Sequence, residues 1–187
     1  MRAVLKNVNK SYGGQQVLRN LNLTMEGTNV LMAPSGQGKT TLARLLLGLE
    51  TPDSGSVEVN GRIVAQFQED RLCKQLSAVG NVALCCPQKS QEQIEAALTA
   101  LNLTSADWNK PARQLSGGQA RRVALARALL APADGVILDE PFKGLDEATR
   151  QQAMDWVKQR MIGRWLLLIT HDETEAVAFG GANLRLQ

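Results

Sequence analysis

Asn29-Val30-Leu31-Met32-Ala33-Pro34-Ser35-Gly36-Gln37-Gly38-Lys39-Thr40-Thr41 runs a short apolar stretch into a glycine-rich loop, and Leu42, Leu45, Leu46 and Leu49 then recur at helical spacing. The order reads as strand, tight loop, helix. From Ala33 to Thr40 the loop fits the phosphate-binding pattern G-x-x-x-x-G-K-[ST], with Ala33 in place of the first glycine. Glycines there let successive backbone N–H groups close around phosphates, and the helix N-terminus adds a partial positive charge. Lys39 would reach the terminal phosphates and Thr40 would ligate magnesium. Pro34, Ser35, Gly36, Gln37, Gly38, Lys39, Thr40 and Thr41 are therefore assigned to nucleotide binding. A dinucleotide fingerprint fails, because Gly36-Gln37-Gly38-Lys39-Thr40-Thr41 lacks the third glycine used for helix packing.

Two further apolar runs end in polar residues. Val136-Ile137-Leu138 leads into Asp139-Glu140-Pro141, and Trp165-Leu166-Leu167-Leu168-Ile169 into Thr170-His171-Asp172. Such runs separated by helices predict a parallel sheet covered on both faces, with ligands gathering beyond the carboxyl ends of the strands. Asp139 is then the metal residue, often acting through water in phosphate-loop ATPases. Glu140 is the group that orients the attacking water or accepts its proton. An acidic pair alone could be a solvated turn, and a lone histidine is often structural. The phosphate loop upstream and the third strand end give both a functional reading.

Met1 to Met25 carries strand-like pieces with a turn at Gly13-Gly14, and Ser56 to Phe67 alternates in the same manner. Both are expected in an antiparallel sheet flanking the main one. Beyond Phe67 the pattern turns helical, most clearly over Gln91–Leu101, where Ile94, Leu98 and Leu101 share a stripe. The fold class is α/β: a phosphate-loop NTPase core with a parallel sheet, an N-terminal antiparallel sheet and a small helical subdomain. A single domain is expected over 1–187, with the helical insert at about 69–114 inside it. No C-terminal regulatory domain is expected after His171.

Composition excludes more than it selects. The 187 residues are 44% apolar and 21% charged, ordinary globular values. The net charge of +3 does not by itself call for nucleic acid. The stretch Trp108 to Ala133 nevertheless holds Lys110, Arg113, Arg121, Arg122 and Arg127 and no acid. No run approaches the roughly 18 apolar residues needed to cross a bilayer, and Met1 to Leu5 carries no secretory core. Cys73, Cys85 and Cys86, with one histidine in the chain, offer neither a disulfide framework nor a zinc spacing and read as reduced filler.

Leu115-Ser116-Gly117-Gly118-Gln119 matches the signature motif of ATP-binding-cassette (ABC) proteins letter for letter, and Arg121 to Leu129 after it also resembles that family. Ala120 stands where many members carry a basic residue. The resemblance covers nearly the whole chain. It implies that Tyr12 stacks on adenine and that Gln68, in Phe67-Gln68-Glu69-Asp70-Arg71-Leu72, senses magnesium and contacts the transporter. It further implies that Asp146, in Lys143-Gly144-Leu145-Asp146, communicates across a dimer, and that His171 is the switch histidine. Ser116, Gly117, Gly118 and Gln119 open a helix whose N–H groups can bind a phosphate. In the family this second anion site closes over ATP held by the phosphate loop of a partner subunit. Basic residues around the signature helix would offset triphosphate charge there.

ATP and Mg2+ are the expected cofactors. Three classes compete: a transporter's motor subunit, a soluble cassette ATPase acting on nucleic acid or the ribosome, and a non-cassette kinase. The signature disfavours the kinase, and a single cassette without sustained heptads favours the transporter. Phe67 to Leu72, continuing to Asn81-Val82, resembles bacterial importers for nitrate, sulfonates and vitamin precursors, although Lys74 and Gln75 depart from their proline and tryptophan. That resemblance implies a transmembrane permease subunit, a second cassette subunit (a homodimer), and a solute-binding protein acting through the permease. It implies no nucleic acid, and a cytoplasmic place on the inner face of the membrane by way of the permease.

Overall fold

A computed structural model describes residues 1–33 and 36–186. Its chain separates into two compact units, Met1–Ala65 with Ala133–Glu140 and Gly163–Gln187, and Gln66–Pro132 with Pro141–Ile162.

The first unit opens with β1 (Arg2–Tyr12) and β2 (Gln15–Glu26), antiparallel. Tyr12 pairs with Gln15 across Gly13 and Gly14, whose φ values of 54° and 84° are those of a type I′ hairpin turn. Register shifts interrupt β1 after Leu5 and Val8. Asparagines satisfy the displaced backbone: Asn7 N donates to Asn22 Oδ1 at 2.9 Å and Asn20 N to Asn9 Oδ1 at 2.9 Å. β4 (Ser54–Asn60) pairs with the other edge of β1 and completes a three-stranded sheet in the order β2-β1-β4.

The second sheet is five-stranded, in the order β5-β6-β7-β3-β8. Its members are β3 (Thr28–Met32), β5 (Ile63–Gln66), β6 (Gly135–Asp139), β7 (Trp165–Thr170) and β8 (Ala182–Leu184). β3 pairs in parallel with β7 and β8, and β6 with β7. Every residue of β6 and β7 is buried, as continuous apolar runs require of a sheet covered on both faces. Trp165 is 2% exposed, and its Nε1–H donates to Met25 O at 3.3 Å. α1 (Lys39–Leu46) follows β3, and α7 (Glu173–Phe179) follows β7.

Two local expectations are corrected. The alternation of Ser56 to Phe67 does not stay in one sheet: β4 is antiparallel, whereas β5 joins the sheet of β6. Alternation marks a half-covered strand and carries no information about which sheet receives it. Leu49 was expected on the stripe of Leu42, Leu45 and Leu46, but α1 ends at Leu46 with Leu47 as its cap, leaving Leu49 62% exposed.

The second unit is helical: α2 (Ala78–Ala83), α3 (Gln91–Ala100), α4 (Ser105–Trp108), a short 3-10 turn (Ala112–Gln114), α5 (Gly117–Leu130) and α6 (Glu147–Met161). The ends carry side-chain caps. Ser77 Oγ accepts from Gly80 N at 3.0 Å, and Ser90 and Gln93 form a reciprocal capping box. The expected stripe on α3 is inward, with Ile94, Leu98 and Leu101 all buried. Asn81 is fully buried and holds the chain before α2 through four bonds, accepting from Cys73 N and donating to Cys73 O, Leu76 O and Ser77 O. No described helix is long and apolar enough to cross a membrane.

Candidate active site

In the first unit the loop after β3 turns into α1. Pro34 and Ser35, assigned above to nucleotide binding, lie outside the described residues. Gly38 has a φ of 86°, and an added Cβ would come 2.8 Å from Leu18 Cδ2 and 3.0 Å from Val17 Cγ1. Both the backbone conformation and the space therefore demand glycine. Lys39 Nζ donates to Ala33 O at 2.5 Å, so the ammonium folds back over the mouth of β3. The first turn of α1 carries no acid to oppose an anion. Thr40 is exposed and Thr41 is buried; Gly36 and Gln37 are exposed. The described non-glycine residues with positive φ are Asn7, Asn20, Arg71, Asn102 and Glu140. Ala33 is not among them, so its Cβ sits there without left-handed strain.

Asp139 ends β6 with 3% exposure, opposite Ile169 of β7. Glu140 follows at φ 52°, a left-handed conformation that costs a non-glycine residue about 1–2 kcal/mol. Its backbone N–H donates to Ile169 O at 2.9 Å, and its Oε2 accepts from His171 Nδ1 at 2.6 Å. The Glu140 side chain is 9% exposed and that of His171 64%. A buried carboxylate thus meets an accessible imidazole. Behind His171, Thr170 Oγ1 donates to buried Glu175 Oε2 at 2.5 Å and accepts from Asp172 N at 3.1 Å. Asp172 caps α7 through Thr174 N and Glu175 N. These bonds fix the turn that presents His171.

Tyr12 ends β1, 42% exposed, with its hydroxyl donating to Glu50. Glu50 also accepts from Arg44 of α1 at 3.0 Å. Glu50, Arg44, Thr170 and Glu175 were not singled out by sequence. The spacing Asp172-x-x-Glu175 is a helix-start pattern, but it does not disclose that the glutamate turns back to Thr170.

The second unit carries the other assigned residues. Ser116 caps α5: its Oγ accepts from Gln119 N at 3.2 Å, and Gln119 Oε1 accepts from Ser116 N at 2.9 Å. The first turn of α5 holds Gly117 and Gly118 and no acid, which suits an anion. Asp146 caps α6 through Thr149 N at 3.0 Å, and that bond holds its carboxyl below the ordinary value. Gln68 lies in the loop before α2, and its carbonyl accepts from Arg121 at 2.9 Å.

The basic stretch is largely internal bracing. Arg121 Nε pairs with Asp70 at 2.6 Å. Arg127 donates to Asp70 O at 2.8 Å and Arg71 O at 3.0 Å. Arg122 donates to Gly118 O, Leu101 O and Asn102 O. The Asp70 carboxylate and carbonyls within the unit account for these guanidinium groups. The filler reading of the cysteines fits buried Cys86, whose thiol is pushed up to about 11 by burial, but not Cys73 and Cys85, which are exposed. Among the described residues no three His, Cys, Asp or Glu side chains come together as a metal cage.

The β3–loop–α1 turn, with carboxylates at the end of the second strand over, defines a phosphate-loop protein of the α/β class. Residues 18–143 match the family described as ABC transporter. Among curated proteins the chain is 40% identical over 186 residues to the aliphatic sulfonates import ATP-binding protein SsuB of Corynebacterium glutamicum, covering 94% of this chain and 76% of that protein. It is 42% identical to SsuB 3 of Rhodococcus jostii, covering 92% and 66%. It is 36% identical to the sulfate/thiosulfate import ATP-binding protein CysA of Pectobacterium atrosepticum, covering 95% and 61%. A solved dimeric post-hydrolysis state of the ATP-binding cassette MJ0796, bound to ADP and Pi, superposes with a TM-score of 0.90 at 29% identity, covering 99% of this chain and 94% of that one. The chain belongs to the ABC transporter family.

Proposed function

We propose that this chain binds and hydrolyses MgATP as one of two paired cassette subunits and thereby powers a membrane transporter that imports a small solute. The observation that carries the reading is the Glu140–His171 contact at the ends of adjacent strands, in the unit that also holds the phosphate loop. Lys39 exchanges the Ala33 carbonyl for the terminal phosphates, a stronger charge-assisted partner. Glu140, its carboxylate fixed by His171, accepts a proton from the water that attacks the γ-phosphorus in line, as the bond to the ADP oxygen breaks. His171 therefore acts on the carboxylate that handles the water.

Magnesium fits the donor set: Thr40 and Asp139 offer hard oxygen ligands without an all-protein cage, which suits a cation held mainly by phosphates and water. When bound it neutralises charge on the phosphate oxygens. Gln68 is the proposed reporter of metal and permease. Ser116, Gly117, Gly118 and Gln119 close over ATP held by the partner subunit, and Asp146 communicates across that dimer. The 1–187 chain acts as a single ATPase module, docked on the cytoplasmic face of a permease that receives solute from a binding protein. The names of SsuB and CysA, both import ATP-binding proteins, support import of a small solute over action on nucleic acid.

The test is affinity purification of the tagged chain from detergent-solubilised source membranes, with mass spectrometry of the retained proteins. A stoichiometric polytopic protein is the expected result. Ribosomal or DNA-processing proteins in its place would contradict the transporter reading.

A further inference from the structure

Around Tyr12 the first unit builds a polar frame that the phosphate chemistry does not use. The Tyr12 hydroxyl donates to Glu50 Oε2, and the other oxygen of Glu50 accepts from Arg44 Nη1 at 3.0 Å. Arg44 belongs to α1, the helix that opens with Lys39. Lys10 Nζ lies over the ring, 5.3 Å from its centroid, and is itself held by Asp53 Oδ1 at 3.2 Å and Thr51 O at 3.0 Å. The ring is thus fixed at its hydroxyl by a carboxylate and covered on one face by a cation. A partly exposed aromatic ring with one face covered offers the other to a flat partner, and base–aromatic stacking needs such a platform.

We infer that Glu50 is a positioning residue: it ties the Tyr12 ring to the phosphate-loop helix and so sets where the base of a bound nucleotide stacks relative to its phosphates. The inference rests on the proposed ATP-binding reading. Glu50 touches neither the phosphates nor the base; it acts through Tyr12. The charge state agrees, since the Tyr12 hydrogen bond, with Arg44, holds the Glu50 carboxyl below its ordinary value. A neutral or truncated side chain would release the ring from α1. Binding of the base would weaken while the phosphate contacts stayed in place.

The experiment compares dissociation constants for ATP and for inorganic tripolyphosphate, with kcat and KM for ATP, in the wild type and in Glu50→Ala, Tyr12→Phe, the double variant and Tyr12→Ala. Glu50→Ala and Tyr12→Phe are each expected to weaken ATP roughly 5- to 20-fold. In Glu50→Ala, tripolyphosphate binding and kcat should remain unchanged. The double variant should be no worse than either single one, because both remove the same bond. Equal loss for ATP and tripolyphosphate in Glu50→Ala, or unchanged ATP affinity, overturns the inference. Tyr12→Ala separates the levels: if it leaves the ATP-to-tripolyphosphate ratio unchanged, the base platform itself falls. If it lowers that ratio while Glu50→Ala does not, only the role of Glu50 falls.

Discussion

His171 Nδ1 lies 2.6 Å from Glu140 Oε2, joining residues that follow two adjacent parallel strands, β7 and β6. The contact bridges chain positions that meet only because Asp139 pairs with Ile169. Glu140 is held in a left-handed backbone conformation, so the surrounding fold maintains a geometry the residue would not choose alone. Replacing His171 by alanine removes one anchor of the carboxylate without touching the phosphate loop. Turnover should fall about 10²-fold or more. ATP affinity should stay within roughly twofold, since no proposed binding contact is lost. Steady-state kinetics alongside equilibrium binding checks this; a large loss of affinity with normal turnover would reverse the assignment.

The phosphate loop allows a paired prediction. Lys39→Ala should weaken ATP binding by about 10- to 100-fold, the range for losing a hydrogen bond to a charged group. Gly38→Ala acts differently, because its Cβ would meet Leu18 Cδ2 at 2.8 Å in a backbone conformation alanine resists. It should weaken ATP binding and also lower Tm, whereas Lys39→Ala should leave Tm nearly unchanged. Titration calorimetry and thermal melts of the two variants separate the effects. Equal melting temperatures for both would contradict the steric account.

Metal dependence follows from the strand end. Asp139→Asn removes the charge proposed to hold magnesium, so the variant should need a higher magnesium concentration for half-maximal hydrolysis. Magnesium titrations at saturating ATP measure it, and an unshifted midpoint would remove Asp139 from the metal's ligand set.

Much of this was legible in the chain, and the limits have physical causes. The β3–loop–α1 turn, β6 and β7 could be read because strands buried on both faces are continuously apolar and end abruptly in polar residues. Ser116 could be read because Leu115 to Gln119 is a contiguous motif that resembles the ABC signature; its reciprocal cap with Gln119 came only with the structure. The fate of β5 was hidden, since period-two alternation is the same in either sheet. The sequence suggested that Arg121 and Arg127 offset triphosphate charge, and only the fold reveals that Asp70 and Arg71 are their partners. Glu50 carried no motif, and its meaning depends on the distant Tyr12.

That bracing is testable. Arg127→Met keeps the aliphatic stem but leaves the carbonyls of Asp70 and Arg71 without their donor, at a cost of about 1–3 kcal/mol. Urea unfolding should show this loss while ATP affinity stays unchanged. Weaker ATP binding at unchanged stability would instead restore an electrostatic role for the stretch.

Stability of the helical unit should depend on acid. Lys110, with Thr104, lowers the Asp107 carboxyl from an ordinary 3.8 to about 2. A depressed carboxylate stabilises the fold fully above its unfolded value, and that contribution is lost as pH falls from about 4 towards 2. Asp107→Asn should therefore be less stable than the wild type at pH 7, by up to about 2 kcal/mol. The difference should shrink as pH falls through that window. Unfolding titrations at pH 7 and near pH 3 measure it; a constant difference would assign the effect to packing alone.

The central claim is hydrolysis by paired subunits with Glu140 handling the water. Its most direct measurement is the oligomeric state and turnover of Glu140→Gln with ATP and magnesium, by light scattering and phosphate release. Glutamine keeps the shape of the side chain but cannot take the proton. The account predicts an ATP-dependent dimer with turnover reduced by about 10²-fold or more. A Glu140→Gln chain that hydrolyses ATP at the wild-type rate, or that stays monomeric when ATP is bound, would contradict it.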